Sequence, residues 1–217
     1  MNPIRFLNAA LAMALAASLS ACAFEAKPAP VAAVNVFQSY DSKVPGRWAL
    51  YVDGAAYKRE ATMIGHVCSA HRFPFDAVEP FRASVVTAMR NIVEDLVVVD
   101  TLPQVASLRQ QRLSGIIRVQ AESLTARIGF VQQFWSGQAT ARVDMVANAA
   151  VDGLRGRLLG TSAEGSGASD RSVGTCGDGA GALAEASEQA MKRLVTSIAE
   201  RVANSPRVRE AARTARR

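Results

Sequence analysis

Apolar and polar residues alternate most sharply between positions 135 and 149. Trp135, Gly137, Ala139, Ala141, Val143, Met145, Ala147 and Ala149 share one parity, while Ser136, Gln138, Thr140, Arg142, Asp144 and Asn148 share the other. A period of two with one apolar face predicts a strand of an antiparallel sheet, buried on one side and wet on the other. Asp152-Gly153 follows as a hairpin signal. A return strand is predicted over 154–164, with Arg155 and Arg157 outward. Shorter aliphatic and β-branched runs predict strands over 48–52, 61–68, 96–99 and within 114–130.

Two stretches change to helical spacing. Val78, Phe81, Val85, Ala88, Met89 and Ile92 recur at three- and four-residue steps, predicting a helix over 77–94. Asp76 and Glu79 have the spacing of a capping box, and Pro80 falls in the first turn. Leu183, Ala186, Ala190, Met191, Leu194, Val195, Ile198 and Val202 form a second stripe, from Ala182 until Pro206 stops it. Residues 102–113 are a loop or a short helix. The pattern predicts an α+β fold: a two-layer sandwich of mainly antiparallel sheet with two helices packed on one face, over 47–204.

The glycines in 165–181 invite a phosphate-loop reading, but no Gly-Lys-Ser/Thr follows them and no first βαβ strand precedes them. They read instead as a flexible connector. No Gly-x-Ser-x-Gly elbow is present. Asp53, Asp76, Glu79, Asp95 and Asp100 each have a turn, cap or surface reading that suffices. The expectation is a protein that is not an enzyme and takes no cofactor.

Charge changes the picture mainly at the two ends. The chain carries +6 over 217 residues, and the segment 205–217 supplies most of the surplus through Arg207, Arg209, Arg213, Arg216 and Arg217 against Glu210. The rest is near neutral with few aromatics, which argues against a nucleic-acid partner. The basic segment reads as a tail that could touch an anionic surface, and the body should be indifferent to its loss. At the other end, Arg5 precedes an apolar run from Leu7 to Leu19 and then small residues, the layout of a secretory signal. That run is too short for a comfortable membrane span of roughly 20 residues.

Leu19-Ser20-Ala21-Cys22 resembles the lipobox of bacterial lipoproteins. The resemblance implies a signal peptide over 1–21, cleavage before Cys22, and acyl chains on its sulfur and amine. Two or more chains make a stable anchor, where one gives only reversible binding. Ala23 in place of Asp implies, by the sorting of enteric lipoproteins, a lipid anchor in the outer membrane facing the periplasm. Residues 22–46, with Pro28, Pro30 and Pro45, then read as the lipidated N-terminus and a flexible linker. With Cys22 taken by lipid, Cys68 and Cys176 remain. In an oxidising space a disulfide is the simplest outcome, while a zinc site with His66 and His71 and a pair of unpaired thiols stay open.

This anchor, the helix from Asp76, the alternating strand from Trp135 and the helix from Ala182 together resemble small envelope lipoproteins of lipopolysaccharide-assembly, ABC-transport-auxiliary and secretion-assembly type. The likeness implies a non-enzymatic accessory or assembly component. Its partners would be the membrane through the acyl chains, an envelope protein complex, and further copies of the chain as a homo-oligomer. The alternative is a periplasmic ligand-binding lipoprotein that captures a lipid, glycan or metal.

Replacing the acylated sulfur tests the anchor directly. Cys22→Ser should abolish palmitate incorporation and leave an uncut or soluble chain; a variant still cut at the same bond and still fractionating with membranes would refute it.

Overall fold

A computed structural model describes residues 23–32, 34–132 and 137–215. Eight strands, four helices and two 3-10 turns follow one another in these residues. Strand β1 (Val44–Asp53) is next to the edge of a six-stranded sheet. Beside it run β5 (Val93–Val99) and the first part of β6 (Gly115–Gln132), both parallel to it. β6 then pairs antiparallel with β7 (Gly137–Gly153), and β7 with β8 (Gly156–Val173). Where β1 ends, the short β3 (Thr62–Ile64) takes its place along β6, again parallel. β2 (Lys58–Glu60) and β4 (Pro74–Asp76) form a separate two-stranded ribbon.

The fold is thus α+β and its sheet is mixed: the long β6–β7 and β7–β8 pairings are antiparallel, and β1, β3 and β5 add parallel pairings to them. The physical reason is connectivity: parallel neighbours need a crossover, and two helices supply it. Helix α1 (Val78–Ile92) lies between β1 and β5 in the chain, and the short α2 (Val105–Gln110) lies between β5 and β6. Alternate β1 residues enter separate clusters. Trp48, Leu50 and Val52 join the main core, while Ala49 packs with Leu108 of α2, Leu113 and Ile116. Because successive strand side chains point to opposite faces, these two clusters lie on the two sides of β1.

Helix α3 (Gly179–Ala203) and α1 contact each other, and their apolar stripes meet the odd-numbered residues of β7 in one core. Ala139, Ala141, Val143, Met145, Ala147 and Ala149 are buried as the alternation requires. Trp135, at the head of that pattern, lies outside the described residues. The ends of α1 differ slightly from expectation. Asp76 closes β4, and its Oδ1 accepts the Val78 N–H at 3.1 Å, so Ala77 becomes the cap residue and makes no side-chain bond of its own. No reciprocal capping box with Glu79 forms.

The supposed flexible connector is the second half of β8. Its inward positions are Ala163, Gly165, Gly167 and Ser169, all buried under α3. A Cβ placed on Gly165 would overlap Ala190 O, and one on Gly167 would overlap Ala186 O. The glycines are there for close approach of helix to strand. Gly174, Thr175 and the 3-10 turn Cys176–Asp178 separate β8 from α3.

The linker and the tail are corrected too. Residues 23–32 and 34–43 form a strap across the helices. Ala29 N–H donates to Glu188 Oε1 at 2.9 Å, Val31 N–H to Ser84 Oγ at 2.8 Å, and Ser39 N–H to Asn204 Oδ1 at 2.7 Å. Ala26 and Val34 of the strap are themselves buried. Single polar bonds spread over two helices fix a proline-rich segment that has no periodicity of its own. After α3 the chain does not trail off, because Pro206 starts α4 (Pro206–Ala215) and Val208 and Ala212 are fully buried. Proline suits a first turn, where its missing N–H is harmless.

Gly167→Val should overpack the α3–β8 contact and destabilise the protein by about 3 kcal/mol. Gly160→Ala, on the open side of the same strand, should change stability by less than about 0.5 kcal/mol. Urea denaturation of the two variants checks the difference.

Candidate functional site

β3 stops at Ile64, and residues 65–70 turn back toward β4. Gly65 and Cys68 both adopt the left-handed region, at φ 88° and 62°. His71 N–H donates to Cys68 O at 2.9 Å and closes the turn. His66 and Cys68 therefore do not share a strand face as expected, since the strand ends before them. On the other side, the Asp178 carboxylate accepts the N–H groups of Gly174 and Thr175 at 3.0 and 2.9 Å. Those bonds favour the ionised form and hold Asp178 below the usual carboxylate range. They fix the turn that presents Cys176.

Cys68 and Cys176 are disulfide-bonded, with Cα atoms 5.7 Å apart and a sequence separation of 108. By chain entropy a loop of that length stabilises by about 4–5 kcal/mol. Both thiols are spent, so the four-ligand arrangement with His66 and His71 is not available. Among the described residues no group of three or more His, Cys, Asp or Glu could hold a metal ion. His71 packs instead on Phe24, with ring centroids 5.3 Å apart. Phe24 stacks in turn near Phe73, and Phe73 near Phe130.

The arginines of the C-terminal segment do not act as a set. Arg209 is 3% exposed. Its Nε donates to Ala203 O at 2.7 Å, its Nη2 to Ser42 O at 2.9 Å and its Nη1 to Lys43 O at 3.3 Å. The guanidinium also lies 4.0 Å over the Tyr40 ring. Arg209 thus closes the carbonyl end of α3 and ties it to the strap, and desolvation lowers its pKa. It is not available to an anionic surface. Arg207 and Arg213 are exposed, while Arg216, Arg217 and the lipidation candidate Cys22 lie outside the described residues.

One basic cleft was not foreseen. Arg127 of β6 and Arg142 of β7 are paired directly across the ladder, and Ala168 of β8 faces Arg142. Like charges placed so are unfavourable. Neither has an ion-pair partner among the described residues. With Gln189 and Arg193 from α3 they line a cleft of about 370 Å³, in which Asp144 is the one lining acid. The Arg193 guanidinium also donates to Ser166 O at 2.6 Å. Register knowledge is needed to find this cluster, because its arginines come from separate elements.

No family model and no curated protein matches the chain. Distant likenesses exist among solved structures. A Xanthomonas campestris protein of the family DUF330 aligns over 89% of this chain and 99% of its own, at 10% identity and TM-score 0.44. A neuraminyllactose-binding hemagglutinin homologue from Helicobacter pylori aligns over 83% and 96%, at 7% identity and TM-score 0.44. A Chlamydia trachomatis protein aligns over 73% and 97%, at 10% identity and TM-score 0.37. Likenesses at this level carry neither a family nor an activity to this chain.

The buried arginine makes the C-terminal segment structural, so its removal will not be silent. Truncation after Ser205 should destabilise by about 3 kcal/mol, lowering Tm by roughly 6–12 °C. Arg209→Lys should lose about 1–2 kcal/mol because an ammonium cannot reach three carbonyls at once. Arg207→Ala should stay within about 0.5 kcal/mol. Thermal melts of the three variants rank them.

Proposed function

We propose that this chain is a membrane-anchored periplasmic lipoprotein, a non-enzymatic accessory or assembly component of a cell-envelope complex. One observation carries the reading: a signal-like leader ending at Cys22 stands before a body held by the Cys68–Cys176 disulfide. A long-range disulfide suits an oxidising compartment, and the leader supplies the route there. The outer side of β6, β7 and β8 supports a binding role. It presents Thr125, Thr140, Asn148 and Ser162 in a polar sheet face, on which Leu108 of α2 packs at Ile116. An outer-membrane address follows from Ala23 and remains part of the proposal.

The arginine cleft favours a second reading. Arg127, Arg142 and Arg193 would suit an anionic lipid or glycan in a ligand-binding lipoprotein, since guanidinium groups recognise phosphate and carboxylate oxygens by paired hydrogen bonds.

Chemical crosslinking in intact cells followed by affinity capture separates the two. The accessory role expects a membrane complex recovered at fixed stoichiometry, unchanged in an Arg127→Gln/Arg142→Gln variant. Recovery of the chain without protein partners, with an anionic small molecule that the double variant loses, would replace it with the ligand-binding reading.

A further inference from the structure

The anchor reading places lipid on Cys22, one peptide bond and about 3.8 Å of Cα separation from Ala23. Ala23 is not free. It is bridged in parallel to Arg72, and Ala26 to Phe75. Phe24 N–H donates to Arg72 O at 2.9 Å, and the Phe24 ring lies 5.9 Å from Phe73. A chain fixed to the body at its first described residue has no tether with which to stand off a bilayer. The direction is also set. β4 runs antiparallel to β2, so the stretch from Ala23 to Ala26 runs inward from the end where β3 finishes. Ala23, the first described residue, thus lies toward that end.

The same end carries exposed apolar side chains. Ile64 is 54% exposed, Val67 39% and Val131 53%. Ile64 pairs with Gly129, and Val131 lies two residues further along β6 on the same face. Val67 sits in the turn that follows, and the disulfide clamps that turn to the start of α3. Three side chains fall far short of the roughly 800 Å² per partner that a stable protein interface buries. They are enough to orient a body that acyl chains already hold.

We infer that the end bearing Ile64, Val67 and Val131 is a bilayer-contact surface. It seats the domain on the membrane with its long strands pointing away. The inference rests on the acylation of Cys22 and deepens that reading by naming the face that meets lipid. It sets the remainder at a distance. The β7–β8 hairpin lies at the opposite end of a 17-residue strand, roughly 50 Å away. Helix α4 is there too: Ala211 shares a cleft with Leu154 and Arg155, and a Cβ on Gly46 would stand 3.7 Å from that of Ala212. Arg207 and Arg213 then face the periplasm, not headgroups.

The test uses the acylated mature chain in phosphatidylethanolamine–phosphatidylglycerol vesicles, with Ile64→Cys, Val131→Cys and Arg155→Cys variants spin-labelled singly at these exposed positions. Mass spectrometry of the Cys22 peptide reports acylation independently. The seating expects labels at 64 and 131 to show several-fold greater collision with dissolved oxygen, relative to a water-soluble nickel chelate, than the label at 155. If Cys22 is acylated and all three labels are equally open to the chelate, the seating is overturned while the lipoprotein reading stands, and the patch passes to a protein partner. If Cys22 carries no lipid, both fall together.

Discussion

Helix α3 can lie against the sheet only because the β8 residues beneath it have almost no side chains. Ala163, Gly165, Gly167 and Ser169 let the helix backbone come down onto the strand, so Ala186 and Ala190 replace the larger residues such an interface usually carries. Much else depends on that contact. It brings Met191, Leu194 and Ile198 over β7, where they meet Val143 and Met145 in the core. It also lets α3 guard the free edge of β8: Arg193 donates to Ser166 O at 2.6 Å and Arg201 to Ser162 O at 2.5 Å. Exposed edge strands invite pairing with other chains, and here two guanidinium groups occupy carbonyls that an incoming strand would need.

Legibility in the sequence followed side-chain size. β7 could be read residue by residue because its inward positions carry Val143 and Met145 among alanines. The second half of β8 has the same period, but its inward residues are glycine, alanine and serine, which no hydrophobic pattern reveals. Helix α4 escaped for a related reason, since only Val208 and Ala212 mark its buried face and Pro206 reads as a stop. The parallel pairing of β1 with both β5 and β6 was also hidden, because strand signals do not state their partners. The candidate site divides in the same way. Cys68 and Cys176 could be paired by elimination, whereas the cleft of Arg127, Arg142 and Arg193 needs both register and helix placement.

The strap and Arg209 show how a polar segment can be structural. Nothing in residues 23–43 has the periodicity of an element, yet the segment is held by Ser84, Glu188, Glu200 and Asn204 on two helices. Arg209 completes the arrangement by bonding the end of α3 and the strap at Ser42 and Lys43 together. A buried guanidinium is tolerable only when its donors are satisfied, and three carbonyls and the Tyr40 ring do so. Composition alone suggested a loose positive tail; geometry makes its second arginine a joint.

The strap also imposes an order in time. Synthesis delivers the strap before the groups that hold it, which run from Arg72 and Phe75 through Ser84 to Arg209. Ala23 to Ala26 find Arg72 and Phe75 early, while Ser39, Ser42 and Lys43 wait for Asn204 and Arg209. Synthesis of α4 is therefore the event that closes the strap onto the end of α3.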